Sequence, residues 1–350
     1  MKKILAMVLT LVMCVSLLSG CKSNTGNDAA DDPGTKGAND KKTTDDADTE
    51  EEEVYQVACL FRIADMYAAW LKKAFEAEGN KYDNIEVTVF DTQDDSAVYL
   101  QLMENCILQG YDYIVAQTPV MDATDIVKKC RDNGIGYISI NLDQENLYDL
   151  CTTVICNEYN LGSIIGELAS KELPENANIV ILNGIAGVSA TTERRRGFED
   201  ALLKARTDVT LLDEQTADFE KDTAMTKMDD WLQLYGNTIN GVLASSDSMA
   251  LGAIESYNAN GISTENVFFY GIDGLTDACM AILDGTMSGS ALQDATEFAK
   301  ISLDLVHKDI EGETDLINSF EPIVTFDPVL VTSENAQAQY DYYAEQGLVQ

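Results

Sequence analysis

From Val54 onward the chain repeats one unit: a short apolar run, a few polar residues, then a stretch with helical spacing that closes on Gly or Asn. VYQVACLF (54–61) precedes MYAAWLKKAFEAEGN (66–80), and IEVTVFD (85–91) precedes SAVYLQLMENCILQG (96–110). YDYIVAQ precedes DATDIVKKCRDNG, and GYISINLD (136–143) ends this first series. A second series holds NIVILNG (178–184), VTLLDEQ (209–215), GVLASSD (241–247) and VFFYGID (267–273), each followed by a helix-like stretch. Continuous rather than alternating apolar runs mark strands buried on both faces, hence parallel sheets covered by helices. Two such series predict an α/β fold of two doubly wound, Rossmann-like lobes. No repeat of solenoid length is present.

Before Val54 the pattern is different. MKKILAMVLTLVMCVSLLSGC (1–21) starts on Lys2 and Lys3, runs apolar from Ile4 to Leu18 and ends on small residues. That is the layout of a secretory signal peptide, and the run is short for a spanning helix. Leu18-Ser19-Gly20-Cys21 resembles a bacterial lipobox, which predicts removal of residues 1–20 and lipidation of Cys21. Residues 22–53 contain no aromatic and no Leu, Ile or Val, and they close on Glu50 to Glu53. Such a tract buries too little to offset its ordering entropy, so 21–53 is expected to be a disordered acidic linker holding an extracytoplasmic body to the cell membrane. An ordinary signal with an incidental Cys, followed by solubilising filler, is the competing reading.

Length and charge sharpen this picture. At 350 residues the chain is long for one core, which agrees with two lobes. Lys plus Arg number 23 against 60 Asp plus Glu, a formal charge of −37. A nucleic-acid partner is therefore not expected, since phosphate binding needs basic clusters. One His and no glycine-rich phosphate loop argue against several enzyme classes. Beyond Cys14 and Cys21, the cysteines are Cys59, Cys106, Cys130, Cys151, Cys156 and Cys279, with no CxxC pair among them. They sit in apolar stretches and are expected as buried thiols, with Cys151 and Cys156 the pair to watch in an oxidising compartment.

Ligands of open α/β sheets bind at the carboxyl ends of the strands. There the chain places Asp65, Asn141 with Asp143, Ser245-Ser246-Asp247, Asp273 and Gln293. These are short or planar hydrogen-bonding side chains, suited to a ring of hydroxyls that each donate and accept. Hydrogen bonds to charged groups contribute ~1.5–3 kcal/mol each, and a site built for hydroxyls rejects analogues that lack one. Aromatic rings cover the C–H faces of a sugar at little cost in conformational entropy.

The motifs LNGIAGVSATTERRRGFEDAL (182–202), TKMDDWL (226–232), SSDSMALGAIESYNANG (245–261), YGIDG (270–274) and DGTMSGSALQDA (284–295), in that order, resemble the bacterial type I periplasmic sugar-binding proteins of ATP-binding-cassette (ABC) importers, the ribose- and galactose-binding family. The likeness covers about 54–335. Repressors of the lactose type share the body but begin with a DNA-binding helix-turn-helix, where this chain has a secretion signal. The resemblance implies two lobes joined by a three-segment hinge, with the chain crossing near 156, 293 and 323. Lobe 1 is then 54–156 plus 294–322 and lobe 2 is 157–293 plus 323–345. It further implies a ligand cleft made of Asp65, Tyr67, Asn141, Arg194, Phe219, Ser246, Asp273 and Gln293. A monosaccharide ligand, an ABC permease as partner, a monomeric state and no cofactor are implied with it. Ser246 stands where the family usually has Asn, and Ala190 where the galactose branch has a carboxylate. GIAG-SA looks like the ribose branch and KMDDWL like the galactose branch, so the sugar is left open. Leu173-Pro174-Glu175-Asn176-Ala177-Asn178 lacks the alternating oxygen ligands of the galactose branch's calcium loop, so no metal is expected.

Each assignment has a competitor. Asp273 has the residue type of a helix cap, Arg194 lies in a run of three arginines that reads as a solvated face, and Tyr67 and Phe219 have the character of core residues. Asp247 is expected to cap a helix beginning at Ser248, Trp70 and Trp231 to be core, and His307 to be surface. An Asp65–Asp273 glycosidase pair is weighed and set aside, because no base or oxyanion motif accompanies it and Arg194 keeps carboxylates ionised. A receptor feeding a sensor kinase or chemoreceptor is the alternative function.

Overall fold

The computed structural model describes residues 53–63, 66–118, 122–347 and 349; the expected signal peptide, Cys21, the tether up to residue 52 and Asp65 lie outside them. The first sheet is built from β1 (Tyr55–Phe61), β2 (Ile85–Asp91), β3 (Tyr113–Ala116), β4 (Gly136–Ile140), β5 (Thr152–Cys156) and β11 (Ile323–Phe326). Its order is β11-β5-β4-β3-β1-β2 and every pairing is parallel. The second contains β6 (Asn178–Asn183), β7 (Thr210–Thr216), β8 (Gly241–Ala244), β9 (Phe268–Asp273), β10 (Gly289–Leu292) and β12 (Val329–Val331). Its order is β12-β10-β9-β8-β6-β7, with β12 antiparallel at the edge. Two α/β lobes result, the type I periplasmic binding protein architecture.

The apolar runs become central strands because both their faces are covered. In β1, Val57, Cys59 and Phe61 face α1 (Met66–Gly79) and α9 (Ala295–Ile310), while Ala58 and Leu60 face α2 (Ser96–Gln109) and α3 (Thr124–Asp132). β8 and β10 are buried at every position. Edge strands β2 and β7 are half-exposed. The strand order reverses beside β1 and beside β6, which opens a crevice at the carboxyl edge of each sheet.

The chain passes from β5 into α4 (Glu158–Glu172), which packs on β9 and β10, and from β10 into α9, which packs back on α1. The third passage differs from expectation. Ile323–Phe326 pairs with β5, so the chain leaves the first lobe after Phe326, not at 323, and reaches the second at Val329. Strands β5, β10, β11 and β12 complete the sheets beyond the runs visible as apolar segments.

The six described cysteines are free and buried. Cys151, just before β5, and Cys156, its last residue, belong to opposite faces of the first sheet, and five steps of extended chain hold them roughly 16 Å apart, beyond disulfide reach. Trp70 and Trp231 are buried. His307 is not a bare surface residue: it is half-buried, and its ring lies 5.2 Å from that of Tyr82. In the 173–178 turn the carbonyls of Leu173 and Pro174 accept from Arg206 at 3.2 and 2.9 Å, and Arg206 also pairs with Asp208.

One helix crossing shapes the edge of the second lobe. α4 meets α5 (Ser189–Phe198) backbone to backbone: a Cβ on Gly162 would lie 2.0 Å from the Arg194 carbonyl oxygen, and one on Gly197 would lie 2.3 Å from the Ser163 nitrogen. Glu158 is one turn before Gly162 on the same face of α4. The glycine notch therefore lets Arg194 of α5 reach Glu158. Gly162→Ala is expected to push the helices apart, lowering stability by ~1–3 kcal/mol, with the loss read from denaturant midpoints; an unchanged midpoint would show that the crossing has slack.

Candidate functional site

The strand tips of both sheets converge on one cavity of about 320 Å³. The first lobe contributes Arg62 after β1, Tyr67 in α1, Thr92, Asp94 and Ser96 after β2, Gln117 and Thr118 after β3, and Asn141 with Leu142 after β4. The second lobe contributes Ile185, Val188 and Ala190 after β6, Arg194 in α5, Phe219 after β7, Ser246 and Ser248 after β8, Asp273 ending β9, and Gln293 after β10. Of the eight residues expected from the sequence, seven line this space, and Asp65 lies outside the described residues.

Arg194 is the most heavily bonded of them. It is only 4% exposed, and Glu158, 7% exposed, takes its Nε–H at 2.6 Å. Nη1 donates to the Ser245 carbonyl at 2.7 Å, Nη2 donates to Gln293 Oε1 at 3.0 Å, and Asp273 Oδ1 is 3.7 Å from Nη1. Burial pulls the guanidinium's pKa down, but Glu158 and Asp273 outweigh that and hold it above its ordinary value, so it stays charged. Gln293 Nε2 then donates to Asn141 Oδ1 at 2.8 Å and to Glu158 Oε1 at 3.2 Å. Gln293 follows β10 at the second passage between lobes, so this amide ties the first lobe's Asn141 to the second lobe's Arg194. The neighbouring arginines differ: Arg195 is half-buried and pairs with Glu199 and Glu214, while Arg196 is exposed and stacks on Tyr159.

Two aromatic rings sit across the cavity. Tyr67 is buried edge-on against Trp70, 5.9 Å between centroids, and its hydroxyl has no hydrogen-bond partner among the described residues. Burial first, then the nearby Asp273 carboxylate, pushes that phenol well above its usual pKa. A buried polar atom without a partner is destabilising unless something supplies one. Phe219 faces Arg194 at 5.8 Å and lies where a Cβ on Gly184 would come within 2.0 Å of its ring. Gly184 thus leaves the space at the β6 tip that the far end of the ring occupies.

Backbone strain gathers at the same edge. Of seven described non-glycine residues with positive φ, six (Gln93, Asp94, Asn141, Asp218, Phe219, Asp273) lie at strand tips around the cavity, and Asn176 is elsewhere. Such conformations persist only where surrounding contacts hold them, typically at functional sites.

The capping expectations change. Ser246 is the N-cap of α7 (Asp247–Ala259), its Oγ accepting from the Met249 nitrogen at 3.3 Å. Asp247 is instead the first helical residue, accepting from Ser290 Oγ at 2.6 Å and the Leu275 nitrogen at 2.8 Å. Asp273 does not cap the next helix, α8 (Thr276–Leu283), whose N-cap is Leu275. Residues not anticipated include Glu158, which looks in sequence like an acidic first-turn residue, and Arg62. Arg62 pairs with Asp94 of its own lobe at 2.9 Å and with Glu220, across the cleft before α6 (Lys221–Tyr235), at 3.2 Å.

A family model described as a periplasmic binding protein domain matches residues 60–314. The chain is similar to the xylitol-binding protein of Mycolicibacterium smegmatis, 29% identical over 274 residues and 77% of each chain. It is also similar to the ribose import binding protein of Bacillus subtilis, 28% identical over 69% of this chain and 77% of that one. A crystal structure of an ABC transporter solute-binding protein from Bacillus halodurans with bound myo-inositol superposes with a TM-score of 0.74 at 26% identity, covering 84% of this chain and 100% of that one.

Behind the cavity, burial raises the Asp247 pKa from 3.8 to about 6, against the opposing hydrogen bonds from Ser290, Leu275 and Gly274. A carboxyl whose folded pKa lies above its unfolded one contributes stability below the unfolded value and loses it as pH rises through the folded value. Wild-type protein is expected to lose up to ~3 kcal/mol from this group between about pH 4 and pH 6. Asp247→Asn should flatten that interval in urea titrations; an unaltered slope would mean the carboxyl titrates normally.

Proposed function

The chain belongs to the periplasmic binding protein family, whose members are solute-binding proteins and not enzymes, and from that premise we propose that it captures a monosaccharide between its lobes and delivers it to an ABC importer. One observation carries this reading: side chains suited to hydroxyls and to sugar faces come from both lobes to a single cavity. Its volume falls within the ~300–1,000 Å³ typical of small-molecule sites. Asp273, Asn141 and Gln293 engage hydroxyls, Tyr67 and Phe219 cover the two faces of the ring, and Ser246 offers its remaining O–H. The orphan Tyr67 hydroxyl gains a partner when a hydroxylated ligand sits beside it. Relatives named for xylitol and ribose support the same chemistry class.

Capture proceeds by hinge closure. Open and closed forms interconvert, and a sugar that touches both lobes binds the closed form better and shifts the population toward it. The Arg62–Glu220 and Gln293–Asn141 bonds are made between lobes, so closure forms them. The permease recognises the closed body and opens it to release the sugar. Cys21 carries the lipid that holds the protein outside the cell membrane, on the motif Leu18-Ser19-Gly20-Cys21.

A thermal-shift screen against pentoses, hexoses and polyols tests the binding role, since a ligand at ~100 times its dissociation constant adds about 2.7 kcal/mol. Asp273→Ala is expected to abolish the shift, each lost charge-assisted hydrogen bond weakening binding by ~1.5–3 kcal/mol. The unliganded fold should persist because Arg194 keeps Glu158. A retained shift would put the ligand elsewhere. For the anchor, Cys21→Ser should release the protein into the soluble fraction, and a variant that stays with membranes would refute lipidation at this residue.

A further inference from the structure

Glu158 does not line the cavity, yet both of its oxygens point at side chains that do. Oε2 takes the Arg194 Nε–H at 2.6 Å and Oε1 takes the Gln293 amide at 3.2 Å. It is the first residue of α4, where the helix dipole favours a carboxylate. The Gly162–Gly197 notch brings α5 close enough for the contact.

Two consequences reach the ligand. The first is charge. A buried guanidinium facing a cleft is ordinarily an anion receptor, because it can grip a carboxylate or phosphate with parallel N–H donors. Here Arg194 stands between two carboxylates, Glu158 and Asp273, which leaves that group with a surplus of one negative charge. The other arginine of the cavity, Arg62, is flanked in the same way by Asp94 and Glu220. Neither arginine of the cavity therefore offers a net positive charge to an anion. The second consequence is polarity. Arg194 can only donate, so Gln293 must turn its oxygen to it, and its amide nitrogen then faces Glu158 and Asn141. Asn141 Oδ1 is occupied in turn, which leaves its amide nitrogen as the group to present to a hydroxyl oxygen.

We propose that Glu158 is the specificity-determining residue of this cleft: by neutralising Arg194 and orienting Gln293 and Asn141, it makes the site accept uncharged polyhydroxylated ligands and reject their carboxylated or phosphorylated counterparts. The inference rests on the sugar-binding role proposed for the same cleft. It acts by exclusion. An anion entering the cleft would be desolvated beside surplus carboxylates, a repulsive element of the kind that sets specificity in sites with similar attractive contacts.

Calorimetric titration of the full chain with three matched pairs tests it: ribose and ribose 5-phosphate, galactose and galacturonate, myo-inositol and myo-inositol 1-phosphate. In the wild type, the neutral member of any pair that binds is expected to bind at least ~100-fold more tightly than its anion, as like-charge juxtaposition costs several kcal/mol. Glu158→Gln should narrow that ratio at least ~10-fold, an effect a purely structural role would not have, since loss of structure weakens both members alike. Glu158→Asp keeps the charge and should keep the ratio while weakening both, which serves as the decisive variant should Glu158→Gln not fold. A wild type that binds an anion as well as its neutral partner overturns the proposal, as does a ratio unmoved in Glu158→Gln or collapsed in Glu158→Asp. If no neutral member of any pair binds, the sugar-binding role itself fails, and this one with it.

Discussion

A guanidinium cannot be taken out of water without partners for its donors and its charge, and the interior of this cleft is arranged around that constraint at Arg194. Its partners come from separate places in the chain: Glu158 at the start of α4, the Ser245 carbonyl after β8, Gln293 after β10, and Asp273 at the end of β9. Satisfying one side chain thus draws together several strand tips of the second lobe. Through Gln293 and Asn141 the same network continues into the first lobe. Side chains linked in this way share donors and acceptors, so each one's bonding depends on its neighbours.

Two lobes of near-identical build do not by themselves make a binding site. What converts their facing edges into one is the distribution of strain and space. Four of the positive-φ residues, Asp94, Asn141, Phe219 and Asp273, sit where strands end and line the cleft. Phe219 shows both ingredients: its own left-handed backbone and the space that Gly184 leaves for the end of its ring. The central strands of each sheet are buried on both faces and covered by helices, and can hold such local strain because their packing is continuous from strand to strand.

Central strands could be read directly because burial on both faces forces an uninterrupted apolar run, as in VYQVACLF and NIVILNG. Strands β5, β10, β11 and β12 could not. Gly289–Leu292 is buried by neighbours placed far away in sequence, not by its own hydrophobicity, and Ile323–Phe326 lies at an edge where its pairing with β5 decides which lobe it joins. The third passage was displaced by a few residues for that reason. Among the residues that line the cavity, Tyr67, Asn141, Arg194, Phe219, Ser246, Asp273 and Gln293 follow strand ends or lie in the motifs that carry the resemblance, so their placement there is legible in the sequence. Glu158 was not, because an acidic residue in the first turn of a helix is ordinary, and only the close crossing of α4 and α5 turns it toward Arg194. Arg62 and Glu220 were hidden likewise, each being an ordinary surface charge until two lobes face each other.

The amino-acid order alone therefore determined the α/β class, the two series of strands, the acidic character of residues 22–53 and the side chains gathered at the strand tips, since periodicity and composition are local properties that burial must respect. Tertiary structure alone decided which charges neutralise which, where the chain changes lobe for the last time, and which end of each amide faces the cleft. Those outcomes depend on distances between segments remote in sequence, and such distances are set by packing, which no single segment encodes.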